Sequence, residues 1–280
     1  MCTNFFRNRT RSCVPEPEES KLCGMITAAR EKDLMSAADL LLDARRTCHP
    51  IADLPVELRP TTLEEAYFVQ DRMSWAYEDN GGWKVGAPTA DATPSFAPMP
   101  AAWMTCSGCD LRGVTHRYRG IEVEIAFKMG KDLPPRDTPY TREEVIAAIA
   151  SMHPAIEILE TALLDPGKAT KLTATADMAV HGGFVYGEAV PNWQDIDFSA
   201  ESVSLSIDGA VRVERKGSNT SGDLMRLLPW LANDGASRTE GLKKGDWITT
   251  GSWTGNTPAN AGSVVEARFA SCKPVIFRFA

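Results

Sequence analysis

Apolar positions recur along this chain with two periods, near 3.6 residues in its early part and near two residues in much of the remainder. Residues 32–47 keep the longer period with good helix formers throughout, which predicts an amphipathic helix that serves as packing. A second helix carries its own end signals. Thr62-Leu63-Glu64-Glu65 has the form of a capping box, residues 66–77 continue the pattern with Ala66, Val69, Met73 and Tyr77 on the core side, and Gly81-Gly82 stops it. Trp83-Lys84-Val85-Gly86 then reads as a short strand. Residues 87–104, rich in Pro and Ala and without a period, read as a loop able to line a site.

The clearest two-residue alternation is Gly120-Ile121-Glu122-Val123-Glu124-Ile125-Ala126-Phe127, which predicts a strand. Beyond it Leu133-Pro134-Pro135 marks a turn, and Thr141-Arg142-Glu143-Glu144 is a capping box opening a helix to about Met152 that Pro154 ends. Ala155-Ile156-Glu157-Ile158-Leu159 follows as another strand. The segment thus has the strand–helix–strand form of a crossover unit, which sets its two strands side by side. Residues 177–187, punctuated by glycines, enter a further strand; residues 202–215 and 263–279 alternate as antiparallel strands, with Asp208-Gly209 as a hairpin turn. A helix near residues 224–232 interrupts them. No repeat or linker divides the chain, so it reads as one continuous domain, helical over residues 31–110 and sheet-rich over residues 111–280.

Composition narrows the choice of partners. The 280 residues leave ample room for a core, and a formal charge of -7 without a dense Lys/Arg run speaks against a nucleic-acid or anionic-membrane surface. No apolar run approaches the roughly 18 residues of a membrane helix, and no secretory signal opens the chain, so a soluble protein is expected. Seven cysteines, an odd number without regular spacing, predict reduced thiols in a cytoplasm. Cys106-Ser107-Gly108-Cys109 lacks the second pair or the histidines that a zinc site needs. Residues 1–30 mix Arg7, Arg9 and Arg11 with Glu16, Glu18 and Glu19 around Pro15 and Pro17, the pattern of a disordered extension. The acids argue against a transit peptide, and Met25 and Met35 are alternative starts. Asn8-Arg9-Thr10 and Asn219-Thr220-Ser221 are glycosylation triplets by letter alone.

The chemistry concentrates in three acids and a lysine. A strand rises about 3.3 Å per residue, so Glu122 and Glu124 share one face with Cα atoms roughly 6.5 Å apart and both carboxylates can converge on one cation. Glu157 lies inside a short apolar run, where an ionised carboxylate without a partner is strongly disfavoured; a shared metal ion would supply the partner, the alternative being that Glu122 and Glu124 form a solvated strand face and Glu157 points to water from an edge strand. Lys84, set beside such a cluster, stays charged and can hold a carboxylate or move a proton. His181, ahead of Gly182-Gly183, is a further candidate for proton transfer or for a hydrogen bond at a strand entry.

Over residues 35–280 the chain resembles the hydratase/decarboxylase branch of the fumarylacetoacetate hydrolase-like superfamily. The resemblance rests on Glu65-Ala66-Tyr67 with Gln70, Gly82-Trp83-Lys84-Val85-Gly86, Ile121-Glu122-Val123-Glu124-Ile125-Ala126-Phe127 and Pro154-Ala155-Ile156-Glu157. It continues through Ala176-Asp177, Pro229-Trp230-Leu231-Ala232-Asn233 and Gly245-Asp246-Trp247-Ile248-Thr249-Thr250-Gly251-Ser252. It implies an α+β fold, a mixed β-roll or sandwich of the fumarylacetoacetate hydrolase C-terminal type with an N-terminal helical part. It also implies Mg²⁺ or Mn²⁺ held at Glu122, Glu124 and Glu157, with Lys84 close by. Hard oxygen ligands suit such ions, and the scarcity of His argues against zinc.

The activity so implied is hydration of a 2-hydroxy-2,4-dienoate to a 4-hydroxy-2-oxo acid in aromatic-compound breakdown, with decarboxylation of a 2-oxo-enedioate as its near twin. Where many such hydratases carry Asp-Ser-Arg or Asp-Ala-Arg, this chain has Glu160-Thr161-Ala162. The family's substrate-binding end matches the loop of Ser252 and Thr254, whose hydroxyls are expected to take over part of the arginine's role. Acylpyruvate or fumarylpyruvate hydrolysis is disfavoured: such hydrolases have His and Glu three residues apart, whereas His49 is followed at that spacing by Ala52 and His116 by Arg119. A non-catalytic metal-binding relative is the remaining alternative. The expected partners are a small 2-oxo or 2-hydroxy acid and further copies of the chain.

Overall fold

The computed structural model describes residues 26–77, 79–111 and 116–280. Most of the stretch expected to be a disordered extension, and the triplet at Asn8, lie outside them. Helix α1 (Ala28–Thr47) begins after Thr27, whose hydroxyl accepts from the Arg30 amide at 3.3 Å. Helix α2 (Leu63–Trp75) begins after Thr62 in the same way, at 3.2 Å from the Glu65 amide. The second half of that capping box is replaced, because the Glu65 carboxylate turns to Thr61 and to the Arg30 guanidinium. Leu34, Ala37 and Leu41 meet Ala66, Val69 and Met73 in a fully buried seam. Tyr77 is half-buried against Trp103.

The strands follow in the order β1 (Asn80–Gly86), β2 (Ser95–Pro100), β3 (Met104–Cys106), β4 (Cys109–Leu111) and β5 (Gly120–Met129). Helix α3 (Arg142–Ile146) leads to β6 (Ile149–Leu159), and α4 (Lys171–Ala176) to β7 (His181–Tyr186). Then come β8 (Ser202–Ile207), β9 (Ala210–Lys216), α5 (Leu227–Trp230), β10 (Trp247–Thr249), β11 (Thr257–Pro258), β12 (Val264–Phe269) and β13 (Val275–Phe279). The larger sheet has the order β2-β1-β10-β5-β6-β7-β3 with β11 also on β5, and the smaller one β4-β13-β12-β8-β9. Both are mixed: β1 with β10, β3 with β7 and β4 with β13 run parallel.

Three expectations need correction. Residues 87–104 contain β2, paired antiparallel with β1 from Ser95 to Pro100; all but its first residue are buried, so no polar face exists to reveal the period. Helix α3 stops at Ile146, and β6 runs from Ile149 straight through Pro154. A proline forfeits one ladder donor, which gives it the look of a terminator, but the long pairing with β5 tolerates the loss. Finally, β5 and β6 are neighbours but antiparallel, because one and a half turns of helix make a return connection rather than a crossover.

Ile121, Val123, Ile125 and Phe127 of β5, with Ile156 and Ile158 of β6, join Val203, Leu205, Val265 and Phe277 of the smaller sheet in one core. The period of two then turns Glu122, Glu124 and Glu157 to the opposite face. The turn at Asp208-Gly209 has positive φ at both residues, 54° and 76°, as a tight hairpin requires. No helix among the described residues is long and apolar enough to cross a membrane.

Candidate active site

The register sets Glu122 directly across from Glu157, with Glu124 two residues further along the same face. One carboxylate oxygen from each lies within 4.8 Å of the others. This crowding has an electrostatic signature. Burial, then the charge of Glu157, pushes Glu122 up to about 7 despite Lys84 and a hydrogen bond from Ser252. Burial and the same two neighbouring acids raise Glu124 well above the ordinary carboxylate range. Burial works to raise Glu157 as well, but Lys84 and His181 outweigh it and hold that acid ionised. Glu124 is fixed by the Thr249 hydroxyl and by the Gly251 amide at 2.9 Å, both donating to Oε2. Gly251 has φ +82°, the left-handed conformation in which a side chain is strained.

Lys84 enters from β1. Its ammonium lies 2.7 Å from Glu157 Oε1 and donates to the Ala179 carbonyl at 3.1 Å. Burial opposes its charge, but the three acids together overcome this and keep it protonated. The carbonyl is delivered by an unusual turn in which Met178, Ala179 and Val180 all have positive φ. Left-handed conformation in consecutive non-glycine residues is costly, so the turn needs support. Arg45 of α1 supplies it, bonding Asp177 Oδ1 at 2.5 Å, the His181 carbonyl at 2.8 Å and the Glu160 carbonyl at 2.9 Å. Thr161 and the Ala162 amide complete the hold on Asp177. A helix expected only to pack thus shapes one wall of the site.

A cavity of about 320 Å³ opens on the cluster and is lined by all three acids, Lys84, Phe96, Gly251, Ser252, Thr220 and Arg215. A larger one of about 630 Å³, bordered by Trp103, His116 and Glu160, contains none of the three acids. Ser252 borders the smaller cavity. Thr254 does not border the smaller cavity; its hydroxyl accepts from the Val123 amide at 3.1 Å and donates to the Gly255 carbonyl at 3.1 Å, both structural bonds. His181 is fully buried behind Glu157, donating from Nδ1 to Oε1 at 2.8 Å, with Nε2 unpartnered. Burial lowers its pKa and keeps the ring neutral. Sequence reasoning missed Arg45, Thr249 as a holder of Glu124, the Ala179 carbonyl and Arg215. Of these only Thr249 lies in a stretch on which the family resemblance rests.

The donor set fits a hard divalent cation. All three groups are oxygen ligands, Glu157 Oε2 is buried without a partner, and like charges this close are relieved by a positive ion. One site of this kind, on a paired strand face and flanked by a charged lysine, can polarise an oxygen-rich anion and move a proton beside it.

The fumarylacetoacetate (FAA) hydrolase C-terminal family model matches residues 93–278, and the chain belongs to that family. Among its relatives, 2-hydroxyhexa-2,4-dienoate hydratase of Comamonas testosteroni is 29% identical over 237 residues, 79% of this chain and 86% of that protein. A 4-oxalocrotonate decarboxylase of Pseudomonas putida is 26% identical over 266 residues, 90% and 98% of the two chains. In fold the chain is similar to 4-oxalocrotonate decarboxylase from Pseudomonas putida G7, solved with magnesium and adipate, at a TM-score of 0.80 and 22% identity, covering 91% of this chain and 100% of that one.

Proposed function

We propose that this protein is a Mg²⁺- or Mn²⁺-dependent hydro-lyase that adds water to a 2-hydroxy-2,4-dienoate, the tautomer of a 2-oxo-4-enoate, to give a 4-hydroxy-2-oxo acid in the breakdown of aromatic compounds. The observation that carries this is the convergence of Glu122, Glu124 and Glu157 within 4.8 Å, with Lys84 on the same cavity wall. A relative that spans most of the chain, a dienoate hydratase, supports it.

The three acids hold the ion, which when bound supplies a Lewis acid for the substrate's carboxylate and 2-oxygen. Lys84, kept protonated, pairs with the substrate carboxylate or gives and regains a proton at C3, beside the carbon that bears the 2-oxygen. His181 acts at one remove: its Nδ1–H fixes which oxygen of Glu157 faces Lys84. Ser252 orients Glu122, and the side chain of Phe96 keeps part of the wall apolar.

Decarboxylation of a 2-oxo-enedioate is the second reading, favoured by the nearly full-length relation to 4-oxalocrotonate decarboxylase. A product screen separates them. Purified protein with Mg²⁺ is given a 2-hydroxy-2,4-dienoate, a 2-oxo-enedioate and an acylpyruvate, and products are weighed by mass spectrometry for gain of water, loss of carbon dioxide or C–C cleavage. Gain of water on the first is expected. Consumption of none of them, with Mg²⁺ bound, would overturn an enzymatic role.

A further inference from the structure

The larger cavity, of about 630 Å³, has no part in holding the ion. Close-packed interiors leave few voids larger than a water molecule, and this one has the size of a site for a small organic ligand. Part of its wall follows from the way β7 is covered. Strand β3 pairs with β7 only from Phe184 to Tyr186, so among the described residues Gly182 and Gly183 have no strand beside them on that side. Neither has room for a side chain: a β-carbon on Gly182 would collide with that of Glu160, and one on Gly183 would stand 3.3 Å from Ile158 Cδ1. Leu42 of α1, Ala76 just past α2, and Trp103 border the same space. The Trp103 ring lies 5.8 Å from that of His181, the histidine behind Glu157.

The lining is largely apolar or aromatic, with Leu42, Ile158, Val185, Tyr77 and Trp103 among it. Its charges are already engaged. Arg45 is bound to Asp177 and to two carbonyls, and Arg46 to Asp43. The Glu160 carboxylate accepts from the amides of Tyr118 at 2.8 Å and Thr161 at 3.0 Å. No other Lys or Arg among the described residues borders the cavity, so no free cation is left there to hold an anion. One polar group is not engaged. Nδ1 of His116 is buried and meets no hydrogen-bond partner, an arrangement disfavoured unless a ligand or a water completes it.

We propose that this cavity is a second binding site, for an uncharged aromatic compound bearing a hydroxyl group, with the hydroxyl on His116 Nδ1 and the ring among Tyr77, Trp103 and Leu42. A hydroxyl both donates and accepts, so it completes the ring nitrogen in either tautomer. Aromatic walls suit a flat ring through edge-to-face contact, as Tyr77 and Trp103 already make with each other at 4.4 Å between ring centres. The competing account is a gap between helices and sheet that water fills; water satisfies Nδ1 but gains nothing from the apolar walls.

Calorimetry with two probes of equal shape decides between them. 4-Ethylphenol and 4-ethyltoluene differ only in a hydroxyl against a methyl group. With Mg²⁺ present, the protein is expected to bind one molecule of 4-ethylphenol per chain, about fivefold more tightly than 4-ethyltoluene, the effect of one hydrogen bond. His116→Phe keeps a flat ring without the nitrogen and should bring the two probes to within about twofold. Leu42→Trp fills the cavity and should abolish binding of both. Ala76→Trp, at an exposed position, should do the same and guards against a folding artefact at Leu42. Neither residue borders the smaller cavity, so 4-ethylphenol binding that survives both substitutions lies elsewhere and overturns the proposal. Equal binding of the two probes by the unaltered protein, or no binding of 4-ethylphenol at millimolar concentration, overturns it as well.

Discussion

At the scale of single residues, the site is a balance of charges that no member could hold alone. Glu157 is fully buried and ionised only because Lys84 and His181 touch its Oε1 at 2.7 and 2.8 Å. Lys84→Met removes the charge and keeps most of the stem, so with Mg²⁺ bound the protein should fold and turnover should fall roughly a hundredfold or more; near-normal turnover would reduce Lys84 to a structural cation. The raised acids make a second prediction, about pH. Glu122, pushed to about 7, and Glu124, raised well above its usual range, carry protons in the metal-free protein at slightly acid pH. An ion requires the carboxylates, so its binding expels those protons, and affinity should rise with pH, by up to about tenfold per unit for each proton released while the acids are still protonated below about pH 7, and level off once both are ionised. Magnesium titrations in two buffers of different ionisation enthalpy measure that release; an affinity flat across the range would mean the acids are already ionised. The three acids and Lys84 were readable from the sequence because each breaks a pattern, a charge recurring on one strand face or standing in an apolar run. Arg215 breaks a pattern too, but the alternation of β9 shows its inner face only once β8 is known to pair with it.

At the scale of elements, what the site needs is support from parts remote in the chain. The turn at residues 178–180, left-handed throughout, is held by Arg45 from α1, more than a hundred residues away. Nothing in the 3.6-residue period distinguishes this arginine from a solvated one. Side-chain exposure of 5% for Arg45 and 0% for Asp177 marks the pair as buried, and breaking such a pair by removing one partner costs about 3–5 kcal/mol. Arg45→Met should therefore lower the unfolding free energy in urea by that amount, and Arg45→Met with Asp177→Asn by less than the sum of the two single changes. A loss below about 1 kcal/mol would show that Thr161 and the Ala162 amide satisfy Asp177 by themselves. The same distance-blindness explains the misread elements. Long, capped helices and alternating hairpins declared themselves locally, whereas β2, buried on both faces, and β6, running through Pro154, are strands because of the neighbours they pair with.

At the scale of the whole molecule, the fold gives up stability to assemble an anionic cluster and recovers it from a ligand. Two acids raised by burial and mutual repulsion destabilise the metal-free protein near neutral pH, since each would ionise more readily in the unfolded chain. An ion that binds only the folded state adds about 2.7 kcal/mol at a hundredfold excess over its dissociation constant, which for a chain of this size raises the midpoint of thermal unfolding by about 5 °C or more. Glu124→Gln separates the two effects. The amide keeps the shape and an oxygen that can accept from Thr249 and Gly251, but it removes an acid from the cluster. In chelator the variant should melt at or above the parent, because one source of repulsion is gone. In Mg²⁺ it should melt below the parent, because the ion has lost a ligand and most of its stabilising effect. Such a crossing of the melting order is what a site that sacrifices stability for function produces. A parent indifferent to Mg²⁺, or a variant that keeps the full shift, would mean that the carboxylates serve the fold and not an ion.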